Sequence, residues 1–349
     1  MSEKSNLDLL RTVAVTFVVA AHTLTAKGID YWHGFHIIGI APFGVYLFFV
    51  HTSLVLMWSL ERRPNPLDFY IRRAFRIYPL AIVAILIAAA THAPVAEIAS
   101  GTFRAAPINT YSIIMNCLLF NGLLGHANLI HGVTWSLPPE IFMYILLPGL
   151  FFYAHSVRKI WPLVLIWALV VLLDRRIFPP DAGNVFGVLI PDFLGGIIAY
   201  VGFMRRRPVL PSWILLPLLG VLLCFCLFVR IPTFRTDWFA CLALGLLLPS
   251  IKQFQAKLPA RMTHTIATYS YGIYLFHPFT IVLGIYVLRA RPLALQLAAE
   301  LLPLAVIVFI SYHAIEKPMI KFGARIAAKL AHERGLPSTK TLDTLEPAP

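Results

Sequence analysis

Apolar residues run along most of this chain in long blocks, separated by short clusters of charge, proline and glycine. A helix needs about 20 such residues to cross the roughly 30 Å of hydrocarbon in a bilayer. The punctuation divides the chain into segments 7–26, 38–60, 77–93, 133–154, 160–174, 185–203, 210–229, 237–251, 264–288 and 293–315. The pattern therefore predicts an all-α polytopic membrane protein with about ten transmembrane helices. Segments 160–174 and 237–251 are the shortest of them. Tyr111–Leu124 is apolar but too short to span, and reads as a re-entrant or interfacial segment.

Charge placement supports that count. With ten spans and the N-terminus inside, 21 Lys and Arg fall on the inner side and 8 on the outer, as the positive-inside rule asks. An eleventh span at Tyr111–Leu124 would reverse every later loop. Both termini are thus expected to be cytoplasmic. Met1–Asn6 followed by the apolar run Leu7–Ala26 superficially looks like a signal peptide, but Asp8 and Arg11 fit a retained first span better. Residues 1–330 read as one membrane-embedded domain and 331–349 as a flexible cytoplasmic tail.

Composition narrows the class further. The 349 residues are 59% hydrophobic and 13% charged, with a mean hydropathy of +0.77. Soluble domains carry about 25% charged residues to cover their surface, so a soluble enzyme, a disordered chain and a fibrous protein are excluded. A net charge of +13 would suggest nucleic acid in a soluble protein. Here it reports topology, and the basic segment Lys317–Lys329 is expected to meet anionic lipid instead. Cys117, Cys224, Cys226 and Cys241 all lie in apolar stretches without CxxC or Cys/His spacing, so neither a disulfide framework nor a metal is expected.

Ionisable side chains inside spans are costly and mark functional sites by default. Counting along the helices places His22 about 22 Å and His277 about 20 Å from the inner ends of their spans. Glu140 lies about 10 Å below the outer end of its own span, which predicts one shared depth for all three. Two imidazoles and a carboxylate at one level can act as general base, orienting partner and proton store. Near the inner face, Arg72, Arg73 and Arg76 gather at the start of the third span, with Arg11 a turn inside the first and Glu316 at the end of the tenth. Guanidinium groups suit phosphate, so these arginines predict an anchor for a phosphorylated cytosolic ligand, while Arg72 and Arg73 taken singly read equally well as topology determinants that meet lipid headgroups. Elsewhere the plainer readings dominate. His51 and His313 read as packing or interfacial histidines, Asp192 as a cap on a broken helix, Glu300 as a residue of the outer interface, and His33 and His36 as an outer-loop pair.

The words around these residues resemble the acyltransferase-3 family of integral membrane O-acyltransferases, nearly end to end. Arg11 followed by His22 is similar to that family's Arg-x10-His signature, and Gly44–Val50 to its second-span word. Arg73 and Arg76 match its Arg-x-x-Arg pair. Trp135-Ser136-Leu137-Pro138-Pro139-Glu140 with Tyr144 resembles its Trp-Ser-Leu-x-x-Glu word, and Ser270–Pro278, with Tyr274 and His277, its Ser-Tyr-x-x-Tyr-Leu-x-His word. Tyr312 to Pro318 resembles its closing motif. One departure is visible, since Thr52-Ser53 stands where the family usually has Ser-Gly.

The resemblance implies transfer of an acyl group, usually acetyl, from cytosolic acyl-CoA (acetyl-CoA) to a hydroxyl of a carbohydrate or lipid-linked glycan acceptor on the outer side of a bacterial inner membrane. On that reading Arg11, Arg73 and Arg76 bind the donor phosphates, and His22, Glu140 and His277 are catalytic. Trp135, Ser136, Tyr144 and Tyr274 contact substrate. The competing reading is a proton-coupled secondary transporter or flippase, for which mid-membrane His and Glu would also serve.

Overall fold

The computed structural model describes residues 5–93, 95, 108–121, 129–177, 185–231, 234–255 and 257–333. Most of them are helical. Helices α1 (Ser5–Ala26), α2 (Ile40–Arg62), α3 (Pro66–Thr91), α4 (Thr110–Cys117), α5 (Leu137–Val157), α6 (Ile160–Ile177) and α7 (Val185–Arg205) form the first part of the bundle. They are followed by α8 (Leu215–Phe228), α9 (Thr236–Leu247), α10 (Lys257–Ile281), α11 (Leu293–Ser311) and α12 (Lys317–Glu333). The one sheet among the described residues is a hairpin pairing β1 (Tyr31–Trp32) with β2 (Phe35–His36).

Each of the ten apolar segments falls on a helix. Among the described residues, six helical stretches are long and apolar enough to cross a bilayer: Ser5–Ala26, Ile37–Arg62, Pro66–Thr91, Gly132–Val157, Pro259–Val287 and Leu293–Glu333. Ile160–Leu173, Ser212–Phe228 and Thr236–Ser250 are shorter apolar helices. The eight residues of α4 span about 12 Å, too little to cross. Most of the expected tail, from residue 334 on, lies outside the described residues, but 331–333 still belong to α12.

Two boundaries differ from the hydropathy pattern for a local reason. The third span was expected to begin at residue 77, yet α3 begins at Pro66, where the Asn65 side chain accepts from the amides of Leu67 (2.9 Å) and Asp68 (3.3 Å). Cap and proline start the helix before its apolar part. Arg72, Arg73 and Arg76 consequently sit on a rigid helix. Likewise α10 starts at Lys257, before the apolar part of the segment.

Small residues set the closest helix contacts. A Cβ on Gly44 would lie 2.5 Å from the Ala14 carbonyl oxygen, so α2 meets α1 backbone to backbone. Between α7 and α9, a Cβ on Gly245 would stand 2.1 Å from the Gly195 oxygen, and one on Gly196 would stand 2.0 Å from Oγ of Ser53 on α2. The departure at Thr52-Ser53 is thereby accommodated. The glycine that permits approach there belongs to α7, and the Ser53 hydroxyl turns back to the Phe49 carbonyl at 2.8 Å.

Helices α1 and α10 lie side by side and parallel. Asp8 meets His264 (3.0 Å), Thr12 donates to the Thr263 carbonyl (3.0 Å), and His22 meets His277 (2.8 Å). Asn6 anchors the start of α1 by donating to the Lys252 carbonyl and accepting from the Phe254 amide, each at 3.0 Å.

Candidate functional site

The contact between α1 and α10 brings two buried imidazoles together. Nδ1 of His22 lies 2.8 Å from Nε2 of His277, with the rings stacked 5.1 Å apart between centroids. The second nitrogen of His277, Nδ1, lies 3.1 Å from the Ile273 carbonyl oxygen. A carbonyl only accepts, so Nδ1 carries the hydrogen, and in a neutral ring Nε2 then holds a lone pair. His22 must therefore donate from its Nδ1, which leaves Nε2 of His22 as a lone pair. The arrangement is that of an oriented general base.

A third buried histidine was missed by the sequence reading. His131 donates from Nε2 to the Leu275 carbonyl at 2.7 Å, its ring packs 5.2 Å from that of Phe279, and it lies within electrostatic reach of His277. Its Nδ1 is buried without a partner. The available signal was its place just before the Trp135-Ser136 word.

That word is a 3-10 turn, Gly132–Ser136, leading into α5. Tyr274 donates from its hydroxyl to the Val133 carbonyl at 2.5 Å, so Ser136 Oγ, 2.8 Å away, donates to Tyr274. Pro138 and Pro139 then start α5 in its first turn, where unpaired amides favour a carboxylate, and Glu140 occupies that turn. Trp135 is partly buried against the core.

The expected shared depth holds for His22 and His277 and fails for Glu140. The turn before α5 lies level with Tyr274 and Leu275, within one turn of His277, so α5 begins in mid-bundle, and counting from the membrane surface misplaces it. Glu140 accepts from the Tyr144 hydroxyl and lies within electrostatic reach of Arg11, Arg73 and Arg76.

These arginines do form one cluster. Arg76 is paired with Glu316, which is 1% exposed, and its guanidinium lies 6.0 Å from the centre of the Tyr271 ring. Arg72 turns away to Asp68 at 2.8 Å. The Nε atoms of Arg11 and Arg73 are buried without hydrogen-bond partners. Those orphaned donors, beside carboxylates already engaged by Tyr144 and Arg76, suit an incoming anion. Arg76 is the less available of the three.

The remaining polar residues part from their plainer readings in two places. Asp192 lies within α7, buried beside the Cys241 thiol, so it does not cap a break. Glu300 is not interfacial: it is 1% exposed, inside α11, and bonded to Thr23 of α1. His313 packs on Phe309, with ring centres 4.5 Å apart, and His51 is buried and partnered. The His36 ring packs tilted against that of Tyr31 on the hairpin.

In comparison with known proteins, the acyltransferase-3 model, described as an acyltransferase domain, matches residues 4–312. No curated protein and no solved structure matches the chain.

Proposed function

Since the chain belongs to the acyltransferase-3 family and is an integral membrane acyltransferase, we propose that it moves an acetyl group from cytosolic acetyl-CoA to a hydroxyl of a carbohydrate or lipid-linked glycan. The observation that carries this reading is the hydrogen-bonded pair of His22 and His277, with Nε2 of His22 left as the free lone pair. The topology that goes with it has ten spans, both termini cytoplasmic, and a bacterial inner membrane as its setting. The arginine cluster then faces the cytosol and the exposed end of α1 faces outward.

On this reading Nε2 of His22 takes the proton from the acceptor hydroxyl as its oxygen attacks the thioester carbonyl carbon. The carbon–sulfur bond breaks, and the leaving sulfur takes that proton, so the products are an ester and free coenzyme A. His277 holds His22 in the required tautomer and accepts hydrogen-bond density from its Nδ1–H as charge develops. Arg11 and Arg73 hold the donor phosphates, with Arg76 kept in place by Glu316. Glu140 sets the charge balance of that anion site. Ser136, Tyr144, Tyr274 and Trp135 contact substrate.

Nothing in the fold or the family favours a transporter or flippase. The test is thioester consumption by membranes containing the chain. Free coenzyme A released together with an acetyl mass gained by envelope glycan is the expected outcome, and solute movement without donor consumption would overturn the reading.

A further inference from the structure

A second polar column sits between α1 and α11, apart from the arginine cluster. It starts at Thr23, the residue after His22, whose hydroxyl meets Oε1 of Glu300 at 2.5 Å. Four residues on, just past the end of α1, exposed Lys27 donates from Nζ to Oε1 of Gln296 at 2.7 Å. Gln296 is buried and donates from Nε2 to the carbonyls of Arg291 (2.7 Å) and Arg289 (3.1 Å). The column is walled by a π-turn, Val282–Val287, that continues α10. Gly284 in this turn approaches so closely that a Cβ would stand 2.6 Å from the Gln296 carbonyl oxygen and 2.9 Å from Cβ of Glu300.

The unsatisfied member is Glu300. Oε2 is buried and has no hydrogen-bond partner, although the residue is 1% exposed. Among the described residues no lysine or arginine bonds to it, and Lys27 reaches Gln296 instead. Whether Thr23 donates to Glu300, or Glu300 donates to Thr23 and Thr23 to the Val19 carbonyl (2.9 Å), Oε2 keeps an acceptor lone pair. A buried acceptor without a donor costs about 1–3 kcal/mol, and a buried carboxyl between membrane helices marks a functional site by default. An acyl chain would leave that acceptor unpaired and an anion would be repelled. A ligand rich in hydroxyls satisfies it, with Lys27 at the rim offering further N–H donors.

We infer that the column from Thr23 to Lys27 is the subsite for a polyhydroxylated acceptor, with Oε2 of Glu300 receiving a hydroxyl beside the one that reaches His22. The inference rests on the acyltransfer reading, since it assigns one end of the bundle to the acceptor and the other to the donor. It adds a specificity-determining residue that none of the motif words contains.

The experiment uses the full chain in native membranes and in detergent, with oligosaccharides released from the same cell envelope as the probe. Glu300→Gln keeps the shape but replaces one of the two acceptor oxygens with an NH2 donor. The expected result is a rise of about tenfold or more in the oligosaccharide concentration giving half-maximal acetyl transfer, with the half-saturating acetyl-CoA unchanged. An unchanged oligosaccharide dependence, or a lower maximal rate with both half-saturations unchanged, overturns the subsite. Ligand-induced stabilisation gives a readout without turnover: the probe should raise the melting temperature of the wild-type chain and leave that of E300Q unmoved. If the wild-type chain transfers no acetyl group yet is stabilised through Glu300, the acyltransfer reading fails and the subsite stands. Equal stabilisation of both proteins, or of neither, overturns the subsite whatever the activity. Should E300Q not accumulate, Glu300→Asp carries the same comparisons, with the carboxyl withdrawn by one methylene.

Discussion

Ser136 and Tyr274 are joined by a hydrogen bond of 2.8 Å that ties the turn before α5 to the helix carrying His277. Tyr274 passes its own hydrogen to the Val133 carbonyl, so a single phenol holds both ends of the turn. Tyr274→Phe leaves the Val133 carbonyl and the Ser136 hydroxyl buried without that partner, a loss of about 1–3 kcal/mol. The expected outcome is a lower melting temperature in detergent together with a reduced turnover. An unshifted melting curve would show that the turn is held by packing alone.

The imidazole pair predicts two different losses. His22→Ala removes the general base and should lower turnover by about 100-fold or more. His277→Phe leaves Nε2 of His22 in place but strands its Nδ1–H, so turnover should fall less, while the acetyl-CoA half-saturation stays put. Initial rates of coenzyme A release measure both. A His22→Ala protein with wild-type turnover would remove the base from the mechanism.

Members of the arginine cluster should separate by stability. Arg11 and Arg73 have spare donors, and their replacement by Ala should raise the half-saturating acetyl-CoA with little change in melting temperature. Arg76→Ala instead strands the buried carboxylate of Glu316 and should destabilise the fold. Arg76→Met combined with Glu316→Leu should recover much of that stability, because both charges are then gone. Thermal melts of the single and double variants decide this.

Backbone contact between α7 and α9 predicts that Gly245→Ala abolishes accumulation of folded protein, since the new Cβ meets the Gly195 carbonyl oxygen at 2.1 Å. Gly220→Ala on α8 meets nothing within 4 Å and should be neutral or slightly stabilising. Size-exclusion profiles of the two variants in detergent make the comparison.

Hydropathy alone determined that the chain is helical and membrane-embedded, because hydrocarbon leaves only helices and closed barrels to satisfy the backbone, and continuous apolar runs of about 20 residues fit the helix. It also placed His22 and His277 at one level, since both lie on uninterrupted helices with a constant rise of about 1.5 Å per residue. Only the tertiary structure decided the company of Glu140, because α5 begins in mid-bundle and residue counting from the surface fails at such a start. The orphaned Nδ1 of His131, the pairing of Arg76 with Glu316 and the column at Glu300 were equally hidden. Each depends on which face of one helix meets a distant one, and a linear pattern of polar and apolar positions carries depth along a helix but not the identity of its neighbour.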